Sequence, residues 1–228
     1  MKRSALTFPG FVAVLLAVPS GANAAWGVNQ PIPDGTGTGL ADTQSLVFTN
    51  APIHSVTVEI SLTPTAAGSW MGDLYLYIMK EDRLAVLLNR PGRRDGNDAG
   101  YGDGGPVTIT FDALAPHDIH DYRLPLTGSH DLPLAGPLTG TWQPDGRAVD
   151  PAVVRSSTTR TAGLEVFAGA NPSGDWTIFV ADVEQGGMML FESWNLVITQ
   201  VPEPSAPALM GLGVLAVLGV RSARRRRR

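Results

Sequence analysis

Between Arg94 and Gly105 the chain places Asp95, Asp98 and Asp103, with Asn97 among them, in a run dotted with glycines. Closely spaced carboxylate and amide oxygens on a glycine-rich loop are the ligands a hard cation prefers, so this run is the candidate calcium site of the sequence and calcium the one cofactor it suggests. The spacing does not meet the EF-hand pattern, which requires a Glu at the twelfth position, and a flexible acidic turn is the plainer reading. His117-Asp118-x-His120-Asp121 offers two imidazoles to a metal, and His130-Asp131 offers a base with an orienting carboxylate. Nothing completes either site: there is no Gly-x-Ser-x-Gly elbow and no His-Glu-x-x-His. A solvated polar loop is the preferred reading of these histidines, and a small metal-dependent hydrolase is the alternative they would carry. Trp176 and Trp194 could stack on a sugar, but alternation along strands makes them core residues.

These groups must be positioned by strands. The 228 residues include 26 Gly and 18 Pro, no Cys, and no long amphipathic helical pattern, which argues for one all-β domain with long loops, held by packing without disulfides. Its charge is uneven. With Lys2, Arg3, Arg221 and Arg224 to Arg228 set aside, residues 25 to 200 hold nine basic and twenty acidic side chains, a formal −11. Such a field repels phosphates and disfavours a nucleic-acid partner.

Alternation of apolar and polar residues predicts strands at 45–49, 55–62, 72–78, 84–88 and 107–111. The segment from His117 to Pro151 reads as loop, because Pro125, Pro133, Pro137 and Pro144 interrupt any ladder. The clearest signal is Gly174 to Thr199. Trp176, Ile178 and Val180 alternate in a first run; Glu184-Gln185-Gly186-Gly187 make a turn; Leu190, Trp194, Leu196 and Ile198 mark a second run. This predicts a β-hairpin with both Trp side chains in one buried layer.

That closing pattern resembles the last hairpin of the P domain, or homo B domain, of subtilisin-like proprotein convertases. Ile32-Pro33-Asp34, Gly72-Asp73-Leu74, Phe111-Asp112-Ala113-Leu114-Ala115 and Gly140-Thr141-Trp142-Gln143-Pro144 resemble further motifs of that family in the family's order, while Lys80-Glu81-Asp82-Arg83 replaces its usual Ser-Pro-x-Gly-Thr turn. The resemblance covers about residues 32 to 199. It implies a jelly-roll β-sandwich, galactose-binding-like, that supports a protease without supplying catalytic residues. It also implies, as an alternative function, an accessory component of a subtilisin-like serine endopeptidase system.

The two ends address the protein. Lys2 and Arg3, an apolar run from Phe8 to Val18 and Ala22-Asn23-Ala24 form a secretory signal peptide over 1–24, with signal peptidase expected to cut after Ala24. At the other end Pro202-Glu203-Pro204 precedes an apolar run from Ala206 to Val220 and the cluster Arg224 to Arg228. A helix over that run spans ~22 Å, short of the ~30 Å hydrocarbon core, and its Arg cluster would stay in the cytoplasm. The whole of 201–228 resembles the PEP-CTERM sorting signal, which implies an exosortase-type enzyme as partner. The expected protein is therefore exported, membrane-anchored facing the periplasm or exterior, then released to the surface or matrix. Residues 25–200 would serve it as a non-catalytic module for an exopolysaccharide, a surface protein or a protease.

Overall fold

The computed structural model describes residues 21–48, 51–65 and 68–201. The signal-peptide run, Pro202-Glu203-Pro204, the apolar run 206–220 and the terminal Arg cluster lie outside these residues.

Among the described residues nine strands form two sheets. The first has five, in the order β1 (Gly21–Pro31), β9 (Met189–Gln200), β3 (Ile53–Pro64), β6 (Val107–Asp112) and β7 (Leu138–Trp142). The second has four, in the order β2 (Leu40–Leu46), β8 (Gly174–Asp182), β4 (Leu74–Lys80) and β5 (Arg83–Asn89). All pairs are antiparallel except β6 with β7. Alternation builds the core between the sheets. Val56, Val58, Ile60 and Leu62 on β3 and Leu74, Leu76 and Ile78 on β4 are buried, as are Trp176, Ile178 and Val180 on β8. The architecture is an all-β sandwich, as the composition predicts.

The expected closing hairpin is not one. β8 belongs to the four-stranded sheet and β9 to the five-stranded sheet, so the segment after Asp182 crosses from one layer to the other. Both Trp side chains are nevertheless fully buried, because each faces the shared core from its own sheet. Trp194 donates its Nε1–H to Asp42 of β2 across the sandwich at 2.7 Å, and Trp176 donates to the Pro172 carbonyl at 3.0 Å. The second run also breaks phase. Ser61 faces Ser193 while Leu62 faces Phe191, so Glu192 is an extra residue, and beyond this bulge Phe191 and Met189 are buried in place of Leu190.

Trp26 lies on β1, its ring tilted against that of Trp194 with centroids 4.3 Å apart. The proline-rich segment 117–151 holds a short helix, α1 (Arg123–Thr127), and the edge strand β7. Pro125 fits α1 because it sits in the first turn, where its missing N–H is no loss, and Gly128 caps the helix in the left-handed region at φ 78°.

Candidate functional site

At one end of the sandwich, three chain reversals are stitched together by main-chain bonds. Thr36 donates its N–H to the Asp182 carbonyl at 3.0 Å, Val183 to the Asp73 carbonyl at 2.9 Å, and Gly72 to the Tyr101 carbonyl at 2.9 Å. The approach between the 72 and 100 loops demands glycine. A Cβ on Gly72 would stand 2.2 Å from the Ala99 carbonyl oxygen, and Gly100, at φ +77°, would place one 2.6 Å from the Pro91 oxygen. The result brings Asp73, Asp182 and Asp34 into one neighbourhood, each from a different loop.

Arg90 lies in the middle. It follows β5 in the left-handed conformation at φ 50°, unusual for a residue with a side chain, and its N–H is held by the Leu74 carbonyl at 2.8 Å. Its guanidinium donates to the Gly72 carbonyl and to Glu184, and lies 3.7 Å from Asp73. Two clefts share this Arg90–Glu184 pair. One, of about 490 Å³, is lined by Trp70, Asp73, Asp98, Gln185 and Gly186. Trp70 is half exposed there, with its ring lying against Gly102. The other, of about 440 Å³, runs over the outer face of the four-stranded sheet across Tyr75, Tyr77 and Phe179, with the rings of Tyr77 and Phe179 stacked at 4.9 Å.

The electrostatics at this end favour protonated carboxyls. Burial pushes the Asp73 carboxyl up to about 6 against the pull of Arg90. Burial likewise lifts Asp182 to about 7, with the Asp73 charge adding to the shift. Asp182 accepts one bond, from the Glu184 backbone N–H, while its Oδ1 is buried without a hydrogen-bond partner. Sequence reading missed this cluster as a site. Its aspartates were visible only as parts of separate strand motifs, some 150 residues apart at the extremes.

The residues singled out in the sequence are placed as follows. Asp103 is buried and fully engaged: Tyr122 donates to it at 2.6 Å, Arg123 through two nitrogens at 2.7 and 2.9 Å, and Leu134 N–H at 2.9 Å. Burial opposes ionisation there, but these bonds prevail and hold the carboxyl below its usual range. Asp98 pairs with Arg155 at 2.5 Å, and Asp95 lies 4.0 Å from the same guanidinium. These three carboxylates thus face arginines, and no group of three His, Asp or Glu side chains among the described residues is assembled to hold an ion.

His117 is exposed, but His120 is fully buried, unlike the solvated loop expected. Its Nδ1 lies 2.7 Å from Asp145 and its Nε2 2.9 Å from the Arg93 carbonyl. Arg147 bridges Asp145 and Asp118 at 3.2 and 2.8 Å, which makes the surroundings a buried ion network rather than a site open to substrate. His130 bonds through Nδ1 to the Tyr101 hydroxyl and lies 3.9 Å from Asp121, while Asp131 pairs with Arg94.

β9 ends at Gln200, whose side-chain amide donates to the Ala51 carbonyl at 2.6 Å, and Val201 N–H bonds the Pro52 carbonyl. Residues 200–227 match the PEP-CTERM protein-sorting motif. The PEP-CTERM tail therefore starts where the sandwich ends, and it marks an exported protein held transiently in the membrane and processed by an exosortase-type sorting enzyme. No curated protein matches the chain. Among solved structures, the Aeromonas sobria serine protease in complex with the chaperone ORF2 aligns at 13% identity with a TM-score of 0.43, over 82% of this chain and 28% of that one.

Proposed function

We propose that this is a PEP-CTERM surface or extracellular-matrix protein whose sandwich is a P-type jelly-roll module that binds or supports without catalysing. The observation that carries the proposal is the seam at Gln200: the sorting motif begins on the final residue of a central strand, so processing within Pro202-Glu203-Pro204 would release a domain with every strand intact. The P-domain part is supported by the meeting of Ile32-Pro33-Asp34, Gly72-Asp73-Leu74 and the Asp182 end of β8 in one cluster, since motifs far apart in the chain converge when they belong to one structural unit. The binding part is supported by the aromatic cleft over Tyr75, Tyr77 and Phe179, an apolar, partly open surface with charged groups at its rim.

Replacing Pro202-Glu203-Pro204 with alanines tests the reading in cells. The substituted chain should stay full-length in the membrane fraction, while the wild type yields a shorter, released form that lacks Arg224 to Arg228. A wild-type mature form that retains those arginines by peptide mass mapping overturns it.

A further inference from the structure

We infer that the two clefts flanking the Arg90–Glu184 pair form one binding surface for an uncharged glycan, with Trp70 as the stacking platform of the first cleft and the Tyr77–Phe179 pair as that of the second. The inference deepens the reading of the sandwich as a non-catalytic binding module and rests on it, but it does not depend on the tail.

The aromatic side chains carry it first. Trp176 and Trp194, the tryptophans whose rings could have stacked on a sugar, are buried. Trp70 instead is 40% exposed, the most exposed of the five tryptophans, and it lines the first cleft. Gly102 backs its indole so closely that a Cβ there would stand 3.2 Å from Cε2. A supported indole left half in water offers the apolar face on which the C–H side of a pyranose can lie. Gly68, Ala99 and Gly186 line the same cleft with almost no side chain, which leaves room for a ring. In the second cleft Tyr77 of β4 and Phe179 of β8 are cross-strand partners, stacked on the outer face of the sheet beside Tyr75. Arg90 and Glu184 line both clefts, so a ligand longer than one ring can run across the pair from platform to platform.

Charge selects the class of ligand. The carboxylates that line the first cleft already face arginines: Glu184 bonds Arg90 at 2.8 Å, Asp73 lies 3.7 Å from the same guanidinium, and Asp98 pairs with Arg155 at 2.5 Å. A cationic ligand would have to compete with those arginines, and an anionic one would meet the field of a domain with formal charge −11. Hydroxyl groups do neither. They donate to the carboxylate lone pairs that the arginines leave free and accept from the Gln185 amide.

The test uses the full-length chain in a detergent without a sugar headgroup, titrated with cellohexaose, laminarihexaose, xylohexaose and chitohexaose, and with oligogalacturonate and hexalysine as charged probes. At least one neutral hexasaccharide should bind by calorimetry and shift the tryptophan emission to the blue. Trp70→Ala should melt near the wild-type temperature, lose the emission shift and bind about tenfold more weakly, the scale of one lost stacking contact. Tyr77→Ala, at the other platform, should also weaken the hexasaccharide, and it decides the matter if Trp70→Ala fails to fold. No binding of any neutral hexasaccharide, or binding that both variants retain in full, overturns the inference. Binding of hexalysine or oligogalacturonate in their place also overturns it, while leaving the binding module standing. Chromatography of the bound sugar separates the two readings from the other side: an intact hexasaccharide supports both, and a shortened one keeps the glycan and overturns the non-catalytic module.

Discussion

His120 is the residue whose role its surroundings change most. Both ring nitrogens face acceptors, the Asp145 carboxylate and the Arg93 carbonyl, so both carry protons and the ring is an imidazolium. Burial alone would lower its pKa; the bond and charge of Asp145 outweigh burial and the repulsion of Arg147, and raise it. A raised folded value means the stabilisation is complete below the unfolded value of about 6.5 and is lost as pH climbs through the folded value. Asp118, in the same network, is also raised, by burial first, so only a comparison with a variant isolates His120. His120→Gln should cost about 2 to 3 kcal/mol at pH 6, where it removes one of the two cations that face Asp145 and leaves Arg147 as the other. The gap should narrow as pH rises through the raised folded value, where the folded ring also becomes neutral. Urea denaturation of both proteins across this range measures the gap, and a gap independent of pH would show that His120 acts by shape alone.

At the scale of the element, Glu192 decides which face of β9 enters the core. The bulge lets Trp194, Leu196 and Ile198 on one side and Phe191 and Met189 on the other all point inward, although the two sets differ in parity. Replacing the side chain should matter little: Glu192→Ala gives up its bond from Thr63 at 2.8 Å and should stay within about 1 kcal/mol of the wild type. Deleting Glu192 removes the extra residue and forces either Phe191 and Met189 or the Trp194 set onto the solvent face. That should cost more than about 3 kcal/mol, the scale of exposing a large core side chain. Chemical denaturation of the two variants side by side gives the answer, and equal stabilities would mean that the bulge only follows the local packing.

For the whole molecule, the signal peptide expected over 1–24 would overlap the fold. β1 is an edge strand, and Gly21 to Ala24 pair with Thr199 to Leu196, so cleavage after Ala24 would trim four residues from it and leave Ala25 to Pro31 on β9. Trp26, packed against Trp194, would hold the shortened strand. The exported protein should begin at Ala25 by N-terminal sequencing. Its melting temperature should fall no more than about 2 to 4 °C below that of a chain beginning at Gly21, because terminal pairs on an edge contribute least to global stability. A larger drop would make those four pairs part of the cooperative core.

The strands at 55–62, 72–78, 84–88 and 107–111 and the buried identity of Trp176 and Trp194 were legible in the residues, because period-two alternation follows directly from backbone pleating, whereas the strand expected at 45–49 lies at Leu40–Leu46 and β1 and β7 were not foreseen. The sorting motif was equally legible, since Pro-Glu-Pro, an apolar run and an Arg cluster are local in sequence. Sheet membership was not. A short turn between two alternating runs reads the same whether the second strand returns beside the first or crosses to the opposite layer, and the choice rests on the pairing of β9 with β1 and β3, strands from the other end of the chain. The acidic cluster was illegible for the same reason. Asp34, Asp73 and Asp182 meet because three loops converge, whereas Asp95, Asp98 and Asp103, adjacent in sequence, are drawn to Arg155 and Arg123 by packing that spacing alone does not reveal. Local chemistry determined most of the strands and the address; long-range pairing decided which carboxylates meet which arginines.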